Sequence, residues 1–206
     1  MRDPFLNRVL LLLGLMAVVA GVDFWRNRAR GAKYREYAFV LIAGVAGALL
    51  GWANDLITSS ISPDYFTLGK GLAEGGDLRW RAGVFGLKEG FSAGIIGGAV
   101  CLFACAGKSP MSPAQARRLL GALWMPLTGA VLMGVALPRI AGRFDPLGFS
   151  ADLNSLLNAD QLARFRQVWW THTGLYAGTI IGLAAMILRR KQFSDDRASR
   201  DHSRPP

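Results

Sequence analysis

The stretch GLKEGFSAGIIGGAV, residues 86–100, is apolar and rich in glycine, yet it carries Lys88 and Glu89 side by side. It lies within a longer apolar window, residues 82–106, and a membrane-spanning helix needs about 20 mainly apolar residues. The window therefore predicts a transmembrane helix that contains two charged residues. Lys88 and Glu89 are not expected to pair with each other, because neighbouring side chains diverge around a helix.

Four further windows have the length and composition of membrane spans. They cover residues 5–25, 37–54, 119–140 and 168–188. The chain is 51% hydrophobic and its mean hydropathy is +0.27, which is too apolar for an ordinary soluble domain. These features predict an all-α integral membrane protein, a bundle of about five transmembrane helices within a single domain, residues 1–191, that contacts the lipid bilayer.

The distribution of basic residues predicts how the helices are oriented. The first window resembles a secretory signal, because VVA precedes Gly21, but cleavage there would leave the basic stretch WRNRARGAKYRE outside. We interpret the window as an uncleaved span with the N-terminus outside and the C-terminus in the cytoplasm. Fourteen basic residues then lie inside and nine outside, as is typical of membrane proteins. The net charge of +10 is thereby explained without nucleic acid, and we expect a multi-pass protein of a bacterial cytoplasmic (inner) membrane.

Three segments are predicted to lie outside the bilayer. Residues 192–206 are polar, mixed in charge and end in two prolines, which favours a disordered cytoplasmic tail. The outer loop at residues 55–81 contains ISPDYFTLGKGL, with a Ser-Pro-Asp turn and an aromatic pair, and the sequence assigns no role to it. The other outer loop, residues 142–167, contains SADLNSLLNADQLARF. Its leucine pattern predicts a short amphipathic helix on the outer surface, capped by Ser150 or Asp152.

Small residues at four-residue spacing mark faces where helices approach each other closely in lipid. Three spans show such faces, which predicts a compact bundle. The same faces would also suit a homo-oligomer, through Gly47, Gly51, Gly90, Gly94, Gly174 and Gly178. Asp55 continues the glycine face of its span, so we expect its carboxyl group to point toward protein rather than lipid.

Polar residues from four spans are candidate ligand-binding groups, since ionisable residues within a membrane are costly and often functional. They all belong to the outer half of the predicted bundle and are expected to converge on one outer-facing polar pocket if the helices pack through their glycine faces. They are Asp55, Lys88, Glu89, Arg139, His172 and Tyr176. A structural interpretation stands beside this one for each. Lys88 would extend its ammonium group to the interface, and Glu89 would bond Arg139, His172 or a hydroxyl.

Three classes of function are compatible with these features. The first is the binding or transport of a small ligand through the polar pocket. The second is a structural or accessory subunit of an inner-membrane complex, with a membrane-protein partner and no chemistry of its own. An enzyme is the third and least favoured, because no nucleophile or phosphate-loop motif is present. No cofactor or metal is expected, since Cys101 and Cys105 form no zinc pattern and one helical turn separates them, which favours buried thiols over a disulfide.

Overall fold

The computed structural model describes residues 18, 21, 22, 25, 33–73, 76–105 and 111–202, without the side chains of residues 149 and 190–202. The described part of the chain is 85% helix and contains no strand. The predicted span 5–25 lies outside the described residues, except for positions 18, 21, 22 and 25, which are helical. The five-span count therefore stays a prediction.

Six α-helices and one π-helical turn make up the described structure. The helices are α1 (Tyr34–Ile61), α2 (Leu78–Cys105), α3 (Pro113–Ala122), α4 (Trp124–Ala141), α5 (Phe149–Leu153) and α6 (Ala159–His202), and the π turn is Tyr65–Gly69. Four segments are long and apolar enough to cross a membrane: α1, α2, α3 together with α4, and α6 as far as Arg189. Each of them overlaps one predicted window. The chain is therefore a helical membrane protein.

Polar caps explain why two helices begin before the apolar windows do. At α3, Ser112 accepts a hydrogen bond from the backbone N–H of Gln115 (3.2 Å), and the Gln115 side chain accepts one from Ser112 N–H (2.9 Å). Asn158 and Gln161 make the same reciprocal pair at the start of α6. Such caps satisfy backbone donors that have no partner within the helix, and hydropathy alone does not detect them.

The second outer loop differs from its prediction. SADLNSLLNADQLARF is divided between α5 and the first turns of α6 rather than forming one surface helix. The residue before α5 is Gly148, at a φ of 69°, and neither Ser150 nor Asp152 caps the helix. The apolar side chains Leu157, Leu162 and Phe165 turn inward and are buried, because the chain folds over the helix ends.

Helices α1 and α2 form a hairpin, here called the first hairpin, whose two backbones touch. A Cβ atom at Gly47 would fall on the carbonyl oxygen of Gly90, and a Cβ at Gly51 would fall on that of Gly86. Gly94 lies in the same way against Ala43. The contacts recur at every fourth residue, so one face of each helix is a ladder of close backbone approaches.

Helices α4 and α6 form the second hairpin, and its ladder is built the same way. Gly129 lies against Gly178, Gly174 against the carbonyl of Met133, and Gly182 against that of Met125. The second helix of each hairpin carries the same short pattern, a Gly-Leu pair followed by a glycine three residues later, in GLKEG at 86–90 in α2 and in GLYAG at 174–178 in α6. The described bundle therefore consists of two similar hairpins, and these touch each other far less than the helices within each do.

A buried apolar cluster closes each end of the bundle. At one end, here the cysteine end, Cys101 and Cys105 pack with Met186 and others, and the two thiols are reduced with their Sγ atoms 4.0 Å apart. There Glu36 accepts a hydrogen bond from Met111 N–H (2.6 Å), which fastens the entry to α3 onto α1. At the other end, here the loop end, residues of the π turn pack with Phe165 of α6.

Two predictions about the rest of the molecule stay predictions. The backbone of α6 continues as helix through residues 192–202, where a disordered tail is predicted, and residues 203–206 lie outside the described part. Homo-oligomerisation also stays a prediction, and the glycine faces proposed for it already pack helix against helix within one chain.

The ladder contacts predict a large difference between glycines. In Gly178→Ala the new methyl group would meet the backbone of Gly129 and Ala130, so the helices must separate, and overpacking of this kind costs about 1–3 kcal/mol. Gly121→Ala is the matched control, because nothing lies within 4 Å of a Cβ at that position of α3. The free energy of unfolding in mixed micelles should fall in the first variant and not in the second. Equal stability of the two would contradict the ladder.

Candidate functional site

A buried acid–base pair joins the two hairpins. Asp55 lies near the end of α1, His172 lies on α6, and the imidazole Nε2 is 2.9 Å from Asp55 Oδ1. The two residues are 2% and 5% exposed. Gly86 makes room for the carboxyl group, since a Cβ there would lie 2.6 Å from Asp55 Cγ. The inward direction expected for Asp55 is confirmed.

The hydrogen bonds of His172 restrict where its protons lie. Its Nδ1 is 2.9 Å from the carbonyl oxygen of Val168, an acceptor only, so Nδ1 carries a hydrogen and donates it. Its Nε2 faces both Asp55 and the side-chain amide of Asn54, which is 3.2 Å away and also donates to Asp55 Oδ1 (2.9 Å). One proton between Nε2 and Oδ1 therefore completes the pair, on either the imidazole or the carboxyl group. The arrangement can hold and exchange a proton.

The second oxygen of the Asp55 carboxyl group is also buried, but its hydrogen bonding differs from that of the first. Asp55 Oδ2 accepts no hydrogen bond from the described residues. A buried acceptor in that state costs about 1–3 kcal/mol relative to a satisfied one. Buried polar atoms without a hydrogen bond are unusual in packed proteins, and a functional role is one explanation for them.

The π turn covers this pair with aromatic rings. Tyr65 stacks on the His172 imidazole, with ring centroids 4.9 Å apart and planes at 27°, and Phe66 meets the same imidazole edge-on at 6.1 Å. Phe165 packs against Tyr65 from α6, at 5.3 Å. These rings separate the acid–base pair from the loop end. The segment ISPDYFTLGKGL, to which the sequence assigns no role, is thus the roof of the site.

The surroundings of Tyr65 also change its acidity. Burial raises the pKa of its phenol well above the ordinary value of 10.0. Neighbouring acidic groups, those of Tyr176, Asp55 and Glu89, raise that pKa further. Tyr65 is therefore a neutral phenol throughout the physiological pH range.

Glu89 belongs to a second polar group, on the side of α6 that faces α2. Its Oε2 lies 2.7 Å from Lys70 Nζ, just after the π turn, and 3.4 Å from the Tyr176 hydroxyl. A hydroxyl partner is among those predicted for Glu89, whereas neither Arg139 nor His172 contacts it through a described hydrogen bond. The Lys70–Glu89 ion pair is part-buried, with side chains 16% and 35% exposed, so its strength is that of a partly screened pair.

Arg139 lies apart from both groups. Its guanidinium donates to the Val135 carbonyl (2.5 Å) on its own helix and lines a cavity of about 920 Å³ between α1, α4 and α6. Asn54 lines the same cavity, so this amide connects the cavity with the acid–base pair. Lys88 is half-buried on α2.

The six predicted site residues thus fall into distinct places. Asp55 meets His172, Glu89 meets Tyr176, and Arg139 faces the cavity on the far side of Asn54. Sequence reasoning missed Asn54, Tyr65 and Lys70 as members of the site. Asn54 was recognisable as a neighbour of Asp55 on one helix face, but the other two come from a loop whose path no periodicity specifies.

The described residues contain no group of three or more His, Cys, Asp and Glu side chains placed to hold a metal ion. No family model matches the chain, and neither a curated protein nor a solved structure matches it. A function for this protein therefore has to be inferred from the geometry of the site.

The position of Tyr65 predicts how stability depends on alkaline pH. The unfolded chain loses this phenolic proton near pH 10.0 while the folded protein retains it. The associated stability is therefore complete below pH 10 and is lost as the pH rises above it. Unfolding measured from pH 8 to 12 should show this decline in the wild type and a shallower one in Tyr65→Phe. Tyr34→Phe, which removes an exposed ring's hydroxyl at the cysteine end, is the control and should decline as the wild type does.

Proposed function

We propose that the protein binds a small ligand through a polar pocket in the outer half of a bacterial inner membrane, as a binding or transport protein. The observation that carries the proposal is the buried Asp55–His172 pair between the hairpins, which Asn54 connects to the adjoining cavity. The cavity volume of about 920 Å³ is within the range of known ligand sites. A ligand in it would contact the Asn54 amide, which donates to Asp55 and lies 3.2 Å from His172 Nε2.

The repeated hairpins support transport as the use of this site. Many transporters are built from two similar repeats, with the binding site at the interface between them. In this chain each hairpin is held by backbone contacts, whereas the interface between hairpins is slight. Two hairpins that meet through a polar pair and through the apolar clusters at the two ends can move against each other without breaking either ladder.

The proposed orientation places the loop end outside the cell. It rests on the excess of basic residues in the segments assigned to the cytoplasm. The cavity is lined by the loop-end halves of α1 and α6 and by α4, so it opens toward the outer leaflet in this orientation. A ligand would then arrive from outside or from the outer leaflet.

A structural or accessory subunit of an inner-membrane complex is the second candidate. It is favoured by exposed apolar side chains in the connection from α4 to α6, where Phe144, Leu147 and Leu156 are 62%, 72% and 65% exposed. Such a group on the outer side is suited to a membrane-protein partner as well as to the interface of the bilayer. This candidate requires no ligand.

Native mass spectrometry of the full chain, gently extracted from its own membrane, tests the proposal. A small molecule should stay bound to the wild type and be lost, by about tenfold in occupancy, in His172→Gln, which removes the imidazole from Asp55. Thr179→Val is the matched control on α6, because its hydroxyl bonds only the Leu175 carbonyl of its own helix among the described contacts. Equal retention in both variants would contradict the site, and a stoichiometric protein partner with no ligand would favour the accessory subunit.

Labelling of single added cysteines tests the orientation. The native thiols are buried, so a membrane-impermeant maleimide should report only the new position. Ser155→Cys, exposed at the loop end, should be labelled on intact cells with the outer membrane permeabilised, and Ala114→Cys, exposed in α3, only after lysis. The reverse pattern would place the loop end in the cytoplasm.

A further inference from the structure

The cavity is a groove rather than a closed chamber, because three apolar residues that line it, Ile57, Val131 and Val135, are 61%, 48% and 51% exposed. Its two walls are α1 and α4, which do not form a close pair in the described structure, and α6 is its floor. Apolar side chains line most of its length, among them Leu50 and Ile57 from α1, Val131 and Val135 from α4, and Leu175 from α6. In a bilayer these walls would face lipid chains rather than water.

The loop end of the groove has the opposite character. Arg139 and Arg143 line it there, and no Asp or Glu side chain is among the described residues that line the cavity. Arg139 uses one N–H of its guanidinium on the Val135 carbonyl, and a guanidinium has five such donors. The groove therefore combines an apolar length with an end that is suited to an anion.

We infer that this groove holds one anionic phospholipid of the outer leaflet, with its phosphate at Arg139 and Arg143 and an acyl chain along the apolar walls. The inference rests on the proposed function and names the class of its ligand. Guanidinium groups bind phosphate oxygens in a bidentate geometry, and the side opening gives a lipid direct entry from the bilayer. Asn54 would then lie beside the bound lipid, next to the acid–base pair.

Charge favours a lipid in the groove over the other candidate occupant, the predicted first span of this chain. The predicted span 5–25 is apolar, but Arg2, Asp3 and Arg8 together leave a net positive charge at the end that would lie outside. In the proposed orientation that end would come level with Arg139 and Arg143, and like charges repel. A phosphate at the same place is attracted instead.

Native mass spectrometry from nanodiscs tests the inference. The discs contain equal amounts of phosphatidylglycerol and phosphatidylcholine with the same acyl chains. The full-length wild type should retain phosphatidylglycerol preferentially. Each basic residue near a membrane surface raises the affinity for an anionic lipid by roughly a factor of five. Arg139→Gln and Arg143→Gln should therefore each lower that preference about fivefold. Arg139→Lys, which keeps the charge, should retain most of it, and Arg79→Gln removes an exposed arginine outside the groove as a control.

A second pair of variants tests the apolar part of the groove. Ala53 is exposed within it, so Ala53→Phe fills the groove without entering the packed ladders. Retained lipid of both kinds should fall about tenfold in this variant. Ala185→Phe adds the same ring at an exposed position on α6 outside the groove and should leave lipid retention unchanged.

The outcomes distinguish this inference from the proposed function. Retention of both lipids without preference, or equal effects of Arg139→Gln and Arg79→Gln, would overturn the lipid. A bound small molecule that is not a lipid, lost in His172→Gln, would overturn the lipid and leave the proposed function in place. No bound molecule of any kind would overturn both. A second copy of the chain displaced by Ala53→Phe would assign the groove to an oligomer and also overturn the lipid.

Discussion

Glycine lies against backbone carbonyl at each rung of the two ladders, and this contact sets how close the helices of each hairpin come. In a bilayer there is no hydrophobic drive to bring helices together, so close packing of backbones has to provide the association. The sequence meets this requirement with small residues at every fourth position of α1, α2 and α6, the last of which faces Gly129 and the backbone carbonyls of Met125 and Met133 on α4.

Two consequences follow for the polar groups. Asp55 fits against α2 only because position 86 has no side chain, so the same glycines that hold the first hairpin also admit a carboxyl group to its interior. Since each hairpin is already packed internally, contact between hairpins is left to the apolar clusters at the two ends and to a few polar side chains. His172 bonds Asp55 there, and Tyr176 reaches Glu89. Polar side chains are costly in lipid, and an interface between two protein surfaces is where they can find partners.

Much of this fold could be predicted from the sequence, because the physics of the bilayer is local in the chain. The length of each apolar segment indicates which part of the chain forms a membrane-spanning helix. Helical periodicity places Asp55 on the same face as the glycines. The starts of α3 and α6 could not be read from hydropathy, since polar caps extend both helices into water.

The partners of the candidate site were predictable only in part. A hydroxyl for Glu89 was among the predicted partners, but Lys70 was not, since a long-range pair depends on where a loop returns. The same holds for Tyr65, which stacks on His172 although about half of the chain separates the two in sequence. Arg139, predicted to share a pocket with the others, faces the groove on the other side of Asn54, and the direction in which the two hairpins turn toward each other was not available from either alone.

The likeness of the two hairpins has a consequence for the chemistry that a single chain can hold. Two identical hairpins assembled as separate molecules would be related by symmetry, so every acid on one would be matched by the same acid on the other. Joined in one polypeptide, the halves are free to differ at corresponding positions, as GLKEG and GLYAG do. An acid can then stand in one half and a base in the other, once each. A single unlike pair between the two halves is an arrangement that covalent linkage makes available to a bundle this small.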